Sequence, residues 1–164
     1  MNSLNNMSTN NMSAYLLKIE NAIKNNADSI DLSTLNLSEV PKELLKLKSL
    51  KRINLSGNPL EKLPDWFGEF ENVEVLDLKD CQLTQLFPEL NRLKSLRALY
   101  LSRNNLIELP KSLSDLDNLR LLFAKNNQIT HLPNWAFGID TFDYDNNPVI
   151  DPPWKYTHGV QKQF

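Results

Sequence analysis

The chain has 164 residues, enough for one domain around a single core, and its 41% hydrophobic and 23% charged content is ordinary for a globular protein. A formal net charge of −2 provides no cationic excess for nucleic acid or an anionic membrane surface. No apolar run approaches the ~20 residues a membrane span needs, so neither nucleic acid nor membrane insertion is expected.

The first segment, MNSLNNMSTNNMS, lacks the basic and apolar regions of a secretory signal. Cys81 is the only cysteine, which excludes an intrachain disulfide and points to a reducing, cytoplasmic or otherwise intracellular setting. Residues 1–12 are rich in Asn and Ser and are expected to be disordered. Residues 13–26, SAYLLKIENAIKNN, predict a helix with Ser13 as N-cap and a stripe of Leu16, Ile19 and Ile23. Its polar face is poor in basic residues, which favours a capping helix over a membrane anchor.

From residue 27 the chain repeats itself. Leu50, Val73, Leu96 and Leu119 begin units 23 residues apart, and an earlier copy starts at Ala27. The unit from Leu50 reads LKRINLSGNPLEKLP, that from Leu96 LRALYLSRNNLIELP, and that from Leu119 LRLLFAKNNQITHLP. A last copy, IDTFDYDNNPVIDPP, begins at Ile139 after a step of 20, so one outer turn is shortened near 135–138. The common frame is L-x-x-L-x-L-x-x-N-x-L-x-x-L-P, and six copies cover residues 27–153. Positions within a unit are counted below from its first residue.

This frame resembles the leucine-rich repeat, in the 23-residue form found in intracellular Ras-regulating and Roco proteins and in bacterial effectors. The resemblance implies an α/β solenoid with a parallel concave sheet of about six repeats and an N-terminal capping helix. The residues support the same fold directly. Alternate strand residues face opposite sides, so Ile53/Leu55, Leu76/Leu78 and Leu99/Leu101 point together into a core. Position nine carries Asn58, Cys81, Asn104, Asn127 and Asn147, and a stack of buried amides there can satisfy the turning backbone. Beyond the proline, Leu44/Leu47/Leu50, Phe67/Phe70/Val73 and Leu113/Leu116/Leu119 recur every third residue, as in short 3₁₀ or helical turns. Units of this kind bury their apolar faces only by stacking, so the ends need caps. The tail, residues 154–164, offers Trp154 and Tyr156 as a C-terminal cap.

Few residues suggest chemistry. His131 and His158 lie in different segments without metal-ligand spacing. Cys81 sits where its siblings hold asparagine, a buried position unsuited to a nucleophile. Asp143, Asp145 and Asn147 have the start of a calcium-loop spacing, but Pro148 and Trp154 stand where such a loop needs Gly and Glu. With four glycines and no phosphate loop, the chain suggests no cofactor, no metal and no enzyme. In Roco proteins the repeats precede a GTPase domain, and the related effector ligases carry a separate catalytic domain; neither has a counterpart in these residues.

The solvent side of the sheet is more informative. Position five runs Asp31, Asn54, Asp77, Tyr100, Phe123, Asp143, and position three runs Ser29, Arg52, Val75, Ala98, Leu121, Thr141. Tyr100 and Phe123 become neighbours about 4.8 Å apart on adjacent strands, with Val75, Ala98 and Leu121 beside them. Arg97, Arg120, Arg103 and Lys125 surround the patch, Asp77 is counted with them among the partner-binding residues, and aromatic and Arg anchors are the usual composition of protein-binding hot spots. The sequence therefore predicts a non-catalytic, monomeric protein-binding module, with a signalling or host-directed bacterial effector role. The alternatives are the repeat portion of a larger enzyme or GTPase system and a self-associating structural protein. Trp66 and Trp135, which share one position on the outer edge, are candidates for a second contact surface.

Overall fold

A computed structural model describes residues 13–150, so the disorder expected of residues 1–12 and the cap expected of Trp154 and Tyr156 concern residues outside those described. It opens with helix α1, Ala14–Lys24. Six three-residue strands follow: β1 Ser29–Asp31, β2 Arg52–Asn54, β3 Val75–Asp77, β4 Ala98–Tyr100, β5 Leu121–Phe123 and β6 Thr141–Asp143. The strands pair in chain order, all parallel and without a register shift, so each residue stands beside its counterpart one unit on. Between consecutive strands the chain returns through one 3₁₀ turn: Lys42–Lys46, Asp65–Glu69, Pro88–Arg92, Lys111–Asp115 and Asn134–Gly138. This is an open leucine-rich-repeat solenoid.

The core lies between the sheet and these turns. Residues at positions four and six point inward, and Ile53, Leu55, Leu76, Leu78, Leu99 and Leu101 are each buried to 1% exposure or less. In β6 the equivalent Phe142 and the following Tyr144 are only half-buried. Position eight of every unit adopts the left-handed conformation: Thr34, Gly57, Asp80, Arg103, Asn126 and Asn146 have φ between 53° and 69°. That conformation turns the chain off the sheet. Gly, Asn and Asp adopt it most readily; Thr and Arg do so at a steric cost.

Helix α1 differs in two details from the sequence expectation. Its buried line runs through Tyr15, Ile19 and Ala22, while Ile23 faces solvent. The small Ala22 lets the helix approach the first unit closely, and that docking, not the widest apolar stripe, sets the helix phase. Ser13 stands at the N-cap with extended backbone but makes no side-chain capping bond.

Candidate functional site

Position nine is where the fold is wired together. Asn104 accepts the Cys81 and Leu83 amides on Oδ1, both at 3.0 Å, and donates from Nδ2 to the Leu78 and Leu101 carbonyls, both at 2.8 Å. Asn58 accepts from Leu35 and Leu37 and donates to Leu32 and Leu55. Asn127 accepts from Leu106 and donates to Leu101 and Ala124; Asn147 accepts from Ile129 and donates to Ala124 and Tyr144. Each amide thereby bridges two units. Cys81 offers only a thiol, which donates to the Leu55 carbonyl at 3.3 Å. The preceding loop is rewired to suit: the Leu60 and Glu61 amides turn to the Cys81 carbonyl, and Glu61 takes φ 55°. Burial pushes the Cys81 thiol up to about 11, so it stays protonated and unreactive.

The concave face is organised by position five. Asp31 Oδ1 accepts the Ser33 amide at 2.9 Å, Asn54 that of Ser56 at 3.0 Å, Asp77 that of Lys79 at 3.1 Å and Asp143 that of Asp145 at 3.1 Å. An oxygen at position five thus caps the amide two residues on, a local turn that Asp and Asn form because their side chains are short. The Ser33 hydroxyl, and after it the Ser33 amide, hold the Asp31 carboxyl below its usual range, with Lys18 assisting. Units four and five break the rule. Tyr100 and Phe123 have no oxygen in reach of that amide, and neither Ser102 nor Lys125 finds an acceptor for its N–H among the described residues.

In place of those caps the two rings stack, with centroids 5.0 Å apart and planes 2° from parallel. Both side chains are half-exposed on the concave side. The Lys79 ammonium lies 5.4 Å from the Tyr100 ring centroid while pairing with Asp77 at 3.0 Å. Val75 and Leu121 flank the rings and are half-exposed. Ala98, expected among the exposed residues, is buried to 4% because its methyl lies between these larger neighbours.

The surrounding cations are not free charges. Arg103 makes a two-pronged contact with the Asp80 carboxylate, its Nε–Oδ1 arm at 2.6 Å. Arg97 approaches Glu74 and Arg120 approaches Asp140, each at 3.9 Å, and Arg120 also donates to the Asp117 carbonyl at 2.8 Å. Lys125 alone of the predicted basic residues has no side-chain hydrogen bond or ion pair among the described residues. The basic rim read from the sequence is therefore, Lys125 apart, a set of ion pairs. The carboxylates were visible at the same positions of adjacent units, but pairing depends on rotamers that a sequence does not display.

Trp66 packs its ring 6.2 Å from Phe67 and 6.3 Å from Phe70, at the outer edge away from the stacked pair. Trp135, at the equivalent point three units on, buries its indole N–H without an acceptor among the described residues. The two are not brought together. Among the described residues no group of three His, Cys, Asp or Glu side chains could hold a metal ion, and no helix is long and apolar enough to cross a membrane.

A coil of parallel strands and 3₁₀ turns, stitched by an asparagine ladder, defines a class of repeat protein, and comparison with known proteins agrees. The Leucine rich repeat family model matches residues 25–83 and 71–129, and the chain belongs to that family. No curated protein matches it. Among solved structures it is similar to a leucine-rich-repeat protein of Leptospira interrogans, with a TM-score of 0.64 and 28% identity over 79% of this chain and 40% of that one. The leucine-rich-repeat domain of the type III effector XopL superposes with a TM-score of 0.75 at 24% identity, covering 85% of this chain and 51% of that one. YopM of Yersinia enterocolitica gives 0.67 at 24%, covering 87% and 30%. The last two likenesses are of fold. In all three cases the chain spans about half or less of the other protein's length.

Proposed function

We propose that this chain is a non-catalytic binding module whose concave sheet engages a protein partner through Tyr100 and Phe123, with Leu121, Val75 and the ion-paired rim around them. The observation that carries this reading is the exchange at position five. The other four units use that residue to cap their own backbone, whereas units four and five leave the amides uncapped and present aromatic surface. Aromatic side chains ringed by polar groups that exclude water are the usual centre of a protein–protein hot spot. A rim whose charges, Lys125 apart, are already neutralised suits that role, since it orients a partner without demanding one net charge.

A cytoplasmic or host-directed effector role is the finer form of this reading. It is supported by the single unpaired cysteine and by the sharing of this fold with the XopL and YopM repeats. The test is affinity capture with the intact chain and with a Tyr100→Ala/Phe123→Ala variant, followed by titration of the captured protein. Loss of about 2 kcal/mol or more of binding per ring, with unchanged melting, is the expected result. Equal capture by both proteins would place the binding surface elsewhere.

A further inference from the structure

The two uncapped amides and the unpaired Lys125 ammonium share a place. Position seven runs Ser33, Ser56, Lys79, Ser102, Lys125, Asp145 along consecutive units. Register is conserved from strand to strand, so Ser102 lies between Lys79 and Lys125, about 4.8 Å from each along the backbone. It is a short residue between two long ones and retains 9% exposure. Its amide belongs to the set that an oxygen caps in units one, two, three and six. In three of those four units the capping oxygen is a carboxylate. The protein therefore shows, in its own repeats, which chemical group this amide accepts.

Resting on the reading of the concave face as a binding surface, we infer that the partner is a protein segment carrying an Asp or Glu side chain, whose carboxylate sits over Ser102 between Lys79 and Lys125. There it takes the N–H bond that Tyr100 cannot supply and pairs with the Lys125 ammonium, which has no carboxylate of its own among the described residues. Lys79 is held beside this place by Asp77 and the Tyr100 ring. An apolar residue next to the acid in the partner covers the stacked rings. Asp143 and Asp145, one unit further on, set the limit of the niche by repelling an acid placed beyond Lys125.

A random dodecapeptide display library selected on the immobilised full chain tests this, with the Tyr100→Asn/Phe123→Asn protein as counter-target. The expected peptides bind the native face only and carry Asp or Glu beside an aromatic or large aliphatic residue. In a fluorescence-anisotropy titration, changing that acid to its amide weakens the consensus peptide at least about tenfold, as expected for loss of a charged hydrogen bond. Selection on a Lys125→Glu variant replaces the acid with Lys or Arg. Peptides that need the rings but bind equally well as acid or amide overturn the carboxylate inference while leaving the binding face standing. Peptides that bind native and counter-target proteins alike overturn the face, and the niche with it.

Discussion

Position five of units four and five and position five of the other four units stand at equivalent points on neighbouring strands, yet their side chains do opposite work. Asp31, Asn54, Asp77 and Asp143 fold back on their own backbone and close a turn. Tyr100 and Phe123 turn outward, stack on each other and leave the turn open. The left-handed turn at position eight is kept in all six units, and in four of them a position-nine asparagine also holds it. The cap is therefore a supplement. A repeat can release it for another purpose without losing its shape, and this makes a regular solenoid able to carry a local binding patch.

Substitutions along one strand separate these layers. The largest effect is expected one residue from the aromatic pair, on the opposite side of the same strand. Leu99→Ala opens a cavity in the core and should cost roughly 2–5 kcal/mol in urea denaturation. A value near that of a surface substitution would mean that the strand's two faces are not as distinct as described. Next comes the ladder: Asn104→Ala strands the Cys81 and Leu83 amides and the Leu78 carbonyl, while the Leu101 carbonyl keeps its bond from Asn127, and should cost about 1–3 kcal/mol. Cys81→Ala, which loses one weak donor, should cost less than Asn104→Ala in the same melt. The reverse order would contradict the division of labour at position nine.

Smaller effects probe position five and position eight. Asp77→Ala removes a cap from a unit that uses one and should cost about 0.5–1.5 kcal/mol. Arg103→Asn changes a left-handed residue to one that tolerates that conformation, and exchanges an exposed ion pair for relief of backbone strain. Because exposed pairs contribute little, thermal melts should show a small rise in melting temperature. A fall of similar size would mean that the Asp80 contact outweighs the strain.

Much of this was legible in the sequence because stacking multiplies every signal. The inward leucines, the asparagine row and the neighbours Tyr100 and Phe123 follow from a fixed repeat length and a parallel register, with no packing detail needed. What escaped was decided by contacts between units. The burial of Ala98 follows from the size of its flanking residues, and the phase of α1 from its docking against the first unit. The pairing of Arg97, Arg103 and Arg120 follows from side-chain reach. The capping role of position five was present as Asp or Asn in four units. Its meaning emerged only once the amide two residues on was seen to turn back toward the strand.

The central claim is that Tyr100 and Phe123 serve a partner and not the fold. Its most direct measurement is the equilibrium urea denaturation of a Tyr100→Asn/Phe123→Asn variant, which gives units four and five the residue that unit two already carries. The restored caps should offset the lost ring stacking, each worth on the order of 1 kcal/mol, and leave stability within about 1 kcal/mol of the native chain. A loss of about 3 kcal/mol or more would show that the pair is a structural element, and the concave binding face would have to be abandoned.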